Sequence, residues 1–147
     1  MDENTYIYAL HIATTPEKLW EALTKNEFWR QYWNGEWCIE SDWTEGSAIT
    51  FYTEDGQLFS EGRVLASEAP RLLTYSWPSP PEEQGSDPCK ELTWQIEDVG
   101  PGTVKLTLTH RNLTDANYKG VSGGWPAILS SLKTLLETGS PLLFDKK

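Results

Sequence analysis

Apolar and polar positions alternate regularly over two neighbouring stretches of the chain. Strands are predicted over residues 91–98 and 103–110, where the apolar side chains and His110 hold even-numbered positions. Because successive side chains of a strand point to opposite faces, each stretch has one apolar and one polar face. Residues 99–102 (VGPG) join the two as a hairpin. One dry face and one wet face indicate an antiparallel sheet that is covered on one side.

Five further strands are predicted by the same reasoning. They cover residues 5–12, 37–40, 48–53, 58–66 and 72–77. Asp55-Gly56 is a tight-turn dipeptide between two of these strands, and residues 68–71 (EAPR) form another turn. Residues 78–88 (PSPPEEQGSDP) hold four of the nine prolines. We expect them to form an irregular excursion between two strands.

Two short helices are predicted between the first and second strands. Thr14 and Glu17 have capping-box spacing ahead of the first helix. Thr24 and Glu27 repeat that spacing ahead of the second helix, which Asn34-Gly35 ends.

A longer helix is predicted near the end of the chain. It follows Gly123-Gly124-Trp125-Pro126 and runs to about Glu137, where Gly139 and Pro141 close it. Its apolar stripe consists of Trp125, Ile128, Leu129, Leu132, Leu135 and Leu136. A stripe of this width is what the dry face of the sheet needs to bury.

The order of these elements predicts the fold. One strand, two short helices, six strands and one long amphipathic helix is the order of the helix-grip fold. In this α+β fold, a seven-stranded curved antiparallel sheet surrounds the C-terminal helix. The 147 residues are sufficient for one domain, which we place at residues 1–147.

Several strings of residues in this order resemble one known family. They are 12–24 (IATTPEKLWEALT), 62–64 (GRV), 70–77 (PRLLTYSW), 102–110 (GTVKLTLTH), and Gly124-Trp125 followed by Leu129, Leu132, Leu136 and Glu137. The chain resembles the activator of heat-shock protein 90 ATPase homologue family, a branch of the START-like (SRPBCC, Bet v allergen-type) superfamily. The resemblance covers nearly the whole chain.

The resemblance implies a cavity between the sheet and the last helix. It also implies a link to chaperones, because the co-chaperone that gives the family its name carries this domain. In that co-chaperone the domain follows a second, chaperone-contacting domain. We expect no such additional domain within these 147 residues.

Composition narrows the classes of partner. The net charge is -10, and an acidic domain repels phosphate backbones and anionic lipid, so neither nucleic acid nor a membrane is expected as a partner. Cys38 and Cys89 lack Cys-x-x-Cys spacing and are interpreted as free thiols of a reducing cytosol. The first residues show no signal peptide, and no apolar stretch of the sequence approaches the length of a membrane span. We therefore expect a cytoplasmic protein, either monomeric or homodimeric.

The sequence offers little that indicates catalysis. His11, His110 and the two cysteines lack metal-site spacing, no Gly-x-Ser-x-Gly is present, and the glycines at 120–124 lack a nucleotide-loop ending. We expect no metal and no cofactor. His110 is the best polar candidate, because its position on the dry face allows it to contact a ligand or act as an acid or base. The alternative is a structural histidine near the last helix.

Aromatic residues give the more specific pattern. The chain holds eight Trp residues, and aromatic walls with few polar groups suit an apolar or ring-bearing ligand. The alternative is that they fill the core completely. The candidate ligand-binding residues are Trp29, Trp33, Phe51, Trp77, Trp94, His110, Trp125 and Leu129.

Three functions follow from these features. The first is non-catalytic binding of a small hydrophobic or aromatic molecule between the sheet and the last helix. The second is a co-chaperone-like interaction with a chaperone or other protein through exposed apolar residues, for which Trp43 and the tail Leu142-Leu143-Phe144 are candidates. The third is a cyclase- or hydratase-type enzyme that uses His110 with a polar partner such as Tyr8, Tyr75 or Glu61.

Overall fold

The computed structural model describes residues 4–32, 37–53, 55–76, 91–113 and 115–142. Its strands are β1 (Asn4–Ile12), β2 (Trp37–Ser41), β3 (Ala48–Thr53), β4 (Leu58–Glu68), β5 (Leu72–Ser76), β6 (Glu91–Gly100) and β7 (Thr103–Leu113). Its helices are α1 (Pro16–Thr24), α2 (Asn26–Tyr32) and α3 (Asp115–Thr138). The predicted helix end at Asn34-Gly35, the excursion at 78–88 and Cys89 lie outside the described residues. In the described part of the chain, no helix combines the length and the apolar composition that a membrane span requires.

The strands form one seven-stranded sheet in the order β1-β7-β6-β5-β4-β3-β2. Each strand from β2 to β6 pairs antiparallel with an adjacent strand in sequence, and β1 pairs antiparallel with β7. The register places Leu108 of β7 opposite both Tyr8 of β1 and Trp94 of β6. The predicted helix-grip fold, with its seven-stranded sheet and long C-terminal helix, is confirmed.

The inner face of the sheet packs against α1, α2 and α3. The apolar even-numbered residues of β6 and β7 are buried from Leu92 to Leu108, as their parity predicted. α3 contributes Trp125, Leu129 and Leu132 to this core, and it contacts β1, β7, α1 and α2. Removing so much apolar surface from water is the main stabilising contribution to the fold.

The predicted caps of the two short helices are wrong. Thr15 rather than Thr14 is the N-cap of α1, and its hydroxyl accepts a hydrogen bond from the Lys18 backbone N–H at 3.2 Å. Pro16 decides the position, because proline is favoured at the first helical residue and so makes the preceding residue the cap. Thr24 caps nothing at the start of α2: it is the last residue of α1, and its hydroxyl donates to the Trp20 carbonyl at 2.8 Å.

The predicted start of the long helix is also wrong. α3 begins at Asp115 and runs through the glycines at 120–124 and through Pro126. The glycine-rich stretch therefore lies inside a helix and is not a loop at a helix N-terminus. Proline in a helix interior costs about 3 kcal/mol. Burial of Trp125 and Leu129 on either side of it offsets that cost.

Gly62 occupies a position with no room for a side chain. A Cβ at this position would lie 2.5 Å from Ser76 Oγ and 3.1 Å from the Ser76 carbonyl oxygen. The serine hydroxyl has little freedom to move away, because it accepts a hydrogen bond from the Arg63 N–H at 2.9 Å. We expect Gly62→Ala to lower the free energy of unfolding by about 2 kcal/mol, measured by urea denaturation.

Gly100→Ala is the matched control for this prediction. A Cβ on Gly100 would meet nothing within 4 Å, so this variant should unfold within about 0.5 kcal/mol of the parent. Equal stability of the two glycine variants would show that β4 and β5 are not packed as described.

A polar clamp fastens the C-terminal end of α3 to the end of β1. Glu137 Oε2 accepts hydrogen bonds from Lys133 Nζ at 2.5 Å and from the Ala13 backbone N–H at 2.9 Å. Lys133 Nζ also donates to the His11 carbonyl at 2.8 Å. The hydrogen bond from Lys133, followed by that from Ala13, lowers the pKa of Glu137 below its ordinary value.

Stability should therefore depend on pH through Glu137. The pKa of Glu137 is lower in the folded than in the unfolded state. Its contribution to the free energy of unfolding is therefore complete above the unfolded-state pKa and is lost as the pH falls through the folded-state pKa. Glu137→Gln should cost about 0.5 kcal/mol at pH 7, since the pair is partly solvent-screened, and progressively less as the pH falls through the folded-state pKa of Glu137. A series of urea denaturations from pH 7 into the acid range measures this, with the exposed Glu45→Gln as the control. A cost that grows as the pH falls would contradict the clamp.

Candidate functional site

Four buried aromatic residues form a connected group on the inner face of the sheet. We call Tyr75, Trp94, Trp125 and His110 the aromatic array. Trp94 Nε1 donates to Tyr75 Oη at 3.1 Å, and Trp125 Nε1 donates to His110 Nδ1 at 3.1 Å. The two indoles meet edge to face with ring centroids 5.7 Å apart. The array is therefore continuous from β5 to β7.

Strand register brings the array together. Leu92 of β6 lies opposite Tyr75 of β5 on one side and opposite His110 of β7 on the other. Trp94 is two residues further along β6 and so points to the same face. α3 crosses this face and supplies Trp125, which is 3% exposed. Parity and register thus place Tyr75, Trp94 and His110 on the inner face of the sheet, and the path of α3 brings Trp125 against them.

Burial and hydrogen bonding fix the charge state of the array. Burial raises the pKa of Tyr75 well above its ordinary value, and the hydrogen bond from Trp94 opposes this only in part. The phenol is therefore neutral at physiological pH. His110 Nδ1 accepts a hydrogen bond from the Trp125 indole N–H, so Nδ1 carries no proton and the neutral imidazole has its N–H at Nε2. The array is a set of uncharged polar atoms in an apolar layer.

The hydrogen bond from the Trp125 indole orients the His110 imidazole, and this indole does not titrate in the physiological range. A cyclase- or hydratase-type reaction needs a second titratable group within hydrogen-bond reach of the base. Tyr75, one of the partners proposed from the sequence, bonds to Trp94 instead.

The predicted ligand-binding residues fall into three groups. Trp94, Trp125 and His110 come together in the array. Trp29, Phe51 and Leu129 are fully buried in the same core, and Trp29 packs edge to face on Tyr32 with centroids 5.7 Å apart. Trp33 and Trp77 lie outside the described residues. The cavity that the resemblance implies between the sheet and the last helix is not open at Trp94 and Trp125, because their rings meet edge to face.

Two aromatic residues were missing from the predicted ligand-binding set. Tyr75 was considered only as a catalytic partner, although its odd-numbered position in β5 could have placed it on the inner face. Trp43, expected in an exposed patch, is half-buried and packs edge to face on Tyr75 with centroids 5.6 Å apart. It lies between strands, so no period-two signal could have placed it.

The tail proposed as a protein contact begins against α3. Leu142 is 36% exposed, and its backbone N–H donates to Ser131 Oγ at 3.1 Å. Ser131 Oγ in turn donates to the Leu142 carbonyl at 3.2 Å. The rest of that tail, Leu143 and Phe144, lies outside the described residues.

Comparison with known families decides the assignment of the chain. Residues 13–137 match the family described as Activator of Hsp90 ATPase homolog 1-like protein. The chain belongs to this family. The match begins just after β1 and ends at Glu137, so it includes every residue of the aromatic array. No curated protein matches the sequence.

Several solved structures share this fold. The chain is similar to the solution structure of ChR145 from Cytophaga hutchinsonii (29% identity, TM-score 0.75, 92% of this chain and 96% of that chain). It is similar to the Aha1 dimer from Colwellia psychrerythraea (24% identity, TM-score 0.71, 92% of this chain and 98% of that chain). It is also similar to PFC0360w, an HSP90 activator from Plasmodium falciparum (19% identity, TM-score 0.71, 90% of this chain and 95% of that chain). The family fold is that of a binding or co-chaperone-like domain.

Proposed function

We propose that this chain is a non-catalytic binding domain that holds a small hydrophobic or aromatic molecule between the sheet and α3. The observation that supports this is the aromatic array, which places hydroxyl, imidazole and indole groups among buried rings. Ligand sites are typically lined in this way, by aromatic side chains with a few placed polar atoms.

The contact between Trp94 and Trp125 constrains how such a molecule binds. A ligand at the centre of the array must displace the Trp125 ring and break its bond to His110. Pro126 follows Trp125 directly and lacks the N–H of a regular helical hydrogen bond. The helix is therefore easier to deform at this point than elsewhere along α3. Binding should therefore change the environment of the Trp125 indole N–H before that of other groups.

The test combines thermal unfolding with NMR of the indole N–H groups. Naphthalene, 1-aminoanthracene and lauric acid serve as probes, added to the parent and to the array variant His110→Leu. A probe at one hundred times its dissociation constant adds about 2.7 kcal/mol to native-state stability. We expect a rise in Tm and a shift of the Trp125 indole signal in the parent. Absence of both with all three probes would reject the proposal.

A second candidate function is binding to a chaperone of the Hsp90 class. The family match and the similarity to an HSP90 activator favour it, and the similar chains are covered almost completely by this single domain. The dimer named for the Colwellia protein also makes self-association of this chain a candidate. An ATPase assay with an Hsp90-class chaperone from the same source, with and without this chain, tests the role. An unchanged rate at saturating chain, with no co-sedimentation, would reject it.

A further inference from the structure

One edge of the sheet is only partly protected. The sheet is open, so β1 and β2 each have one side without a neighbouring strand. Such an edge turns N–H and C=O groups to solvent and pairs readily with another strand unless charge or a covering element prevents it. β2 has both kinds of protection: Glu40 is exposed on it, and Asn26 Oδ1 accepts a hydrogen bond from the Ile39 N–H at 2.9 Å. β1 is covered in a similar way only near its C-terminal end.

The covered end of β1 shows which backbone groups face the open edge. Lys133 Nζ donates to the His11 carbonyl at 2.8 Å. Glu137 Oε2 accepts a hydrogen bond from the N–H of Ala13, two residues further along, at 2.9 Å. In an antiparallel pair, alternate residues turn both N–H and C=O away from the partner strand. The odd-numbered residues of β1 therefore face the edge, and the even-numbered ones bond to β7.

Residues 5–9 (TYIYA) form the open stretch of this edge. By the same parity Ile7 and Ala9 turn their backbone groups outward, and among the described residues no hydrogen bond from another element reaches these groups. Ile7 is 63% exposed, more than any other large apolar side chain in the described ranges, and Ala9 is exposed beside it. The stretch carries no charge. It thus combines accessible backbone groups with apolar side chains.

From this geometry we infer that a second copy of this chain pairs with residues 5–9 of β1, antiparallel and with Ile7 opposite Ile7 of the other copy. A two-fold interface must be self-complementary, and this stretch is nearly symmetric about Ile7, which has a tyrosine on each side. Pairing about this residue sets Tyr6 of one copy opposite Tyr8 of the other and covers both exposed isoleucines. Cross-strand aromatic and β-branched pairs of this kind stabilise antiparallel strands.

Register and charge both favour this centre. A pairing centred further along the strand would bring the other copy against Lys133 where it covers His11. Two copies of net charge -10 repel each other, so contact costs least along an uncharged stretch. The charged side chains of β7 on the outer face, Lys105 and Arg111, lie one strand in from the edge and away from the centre of the stretch. Self-association at this edge would realise the candidate named above, and it does not depend on ligand binding at the array.

Sedimentation of the full chain tests whether two copies meet at this edge. A pairing of this length is small beside the roughly 1,200–2,000 Å² of stable interfaces, so the dimer should form only at high concentration, and the series runs from about 10 μM to about 1 mM. We expect the weight-average mass to rise toward that of a dimer in the parent. It should not rise in Ile7→Lys, which sets two like charges opposite each other. Leu65→Lys, the same kind of change at an exposed position of β4, should behave as the parent does.

Cross-linking tests the register of the pairing. With Cys38 and Cys89 replaced by serine, Ile7→Cys should form a disulfide between copies under mild oxidation, because a hydrogen-bonded antiparallel pair sets the two Cα atoms about 5.5 Å apart. Ala9→Cys in the same background is the matched control. In this register Ala9 faces Thr5 of the other copy, so its cross-link should form at least about tenfold more slowly.

Three results would each overturn the inference. A parent that stays monomeric at the highest concentration would reject self-association itself. A parent that dimerises no more strongly than Ile7→Lys would place the contact on another surface. Cross-linking of Ala9→Cys as fast as that of Ile7→Cys would contradict pairing about Ile7.

Discussion

Replacing Trp94 by alanine is expected to lower the free energy of unfolding by about 4 kcal/mol. The side chain is 1% exposed, so its removal leaves a cavity in the middle of the sheet. It also takes away the donor to Tyr75 Oη and the edge contact with Trp125. Urea denaturation followed by circular dichroism measures the change, provided that the transition is two-state.

Trp94→Phe separates packing from hydrogen bonding in this prediction. Phenylalanine keeps most of the ring but cannot donate to Tyr75, so its cost should be about 1–2 kcal/mol. The parent should be the most stable protein, Trp94→Phe the next and Trp94→Ala the least stable. A cost below about 1.5 kcal/mol for the alanine variant would mean that the Trp94 indole is not packed between the sheet and α3.

Leu132→Ala should have the next largest effect, a loss of about 3 kcal/mol. Leu132 is fully buried on the face of α3 that meets the sheet, and the rigid strands around it cannot close the resulting cavity. Chemical denaturation of the purified variant gives the value directly.

Leu65→Ala provides the same chemical change at an exposed position. Leu65 is 41% exposed on β4, and its truncation should cost less than about 1 kcal/mol. If Leu132→Ala were as mild as Leu65→Ala, α3 would not be gripped by the sheet.

Local signals were sufficient to predict the sheet. Side-chain parity marks the inner face of β6 and β7, and dipeptides such as Asp55-Gly56 mark the turns between strands. Both signals depend only on residues close in sequence. The positions of the strands and the need for a covering helix followed from them, because a one-sided sheet needs a partner for its dry face. The seven-stranded arrangement around the C-terminal helix was implied by the helix-grip element order and the family resemblance, and the order of the strands in the sheet comes from the structure.

Helix boundaries were harder to predict because competing local signals overlap. Two adjacent threonines precede α1, and the capping-box spacing of Thr14 pointed to the wrong one, whereas Pro16 selects Thr15. The glycines at 120–124 and Pro126 are typical of a loop. Their weak helix propensity is overridden by packing of the apolar face of α3, which no local pattern reveals.

The candidate site was only partly predictable for the same reason. Parity places Trp94 and His110 on one face, but it cannot show that Trp125 bonds to His110 or that Trp94 bonds to Tyr75. Those contacts depend on strand register and on the path of α3 over the sheet. Trp43 gave no usable pattern, because its position depends on a left-handed backbone and two serine hydrogen bonds.

The central claim is that α3 carries Trp125 into the concave sheet, between Trp94 and His110. A nuclear Overhauser spectrum from the Trp125 indole N–H, assigned with Trp125→Phe, tests it most directly. We predict cross-peaks to ring protons of both Trp94 and His110, since the ring centroids lie 5.7 Å and 6.0 Å from that of Trp125. An indole proton that exchanges freely with water and shows neither cross-peak would contradict the account.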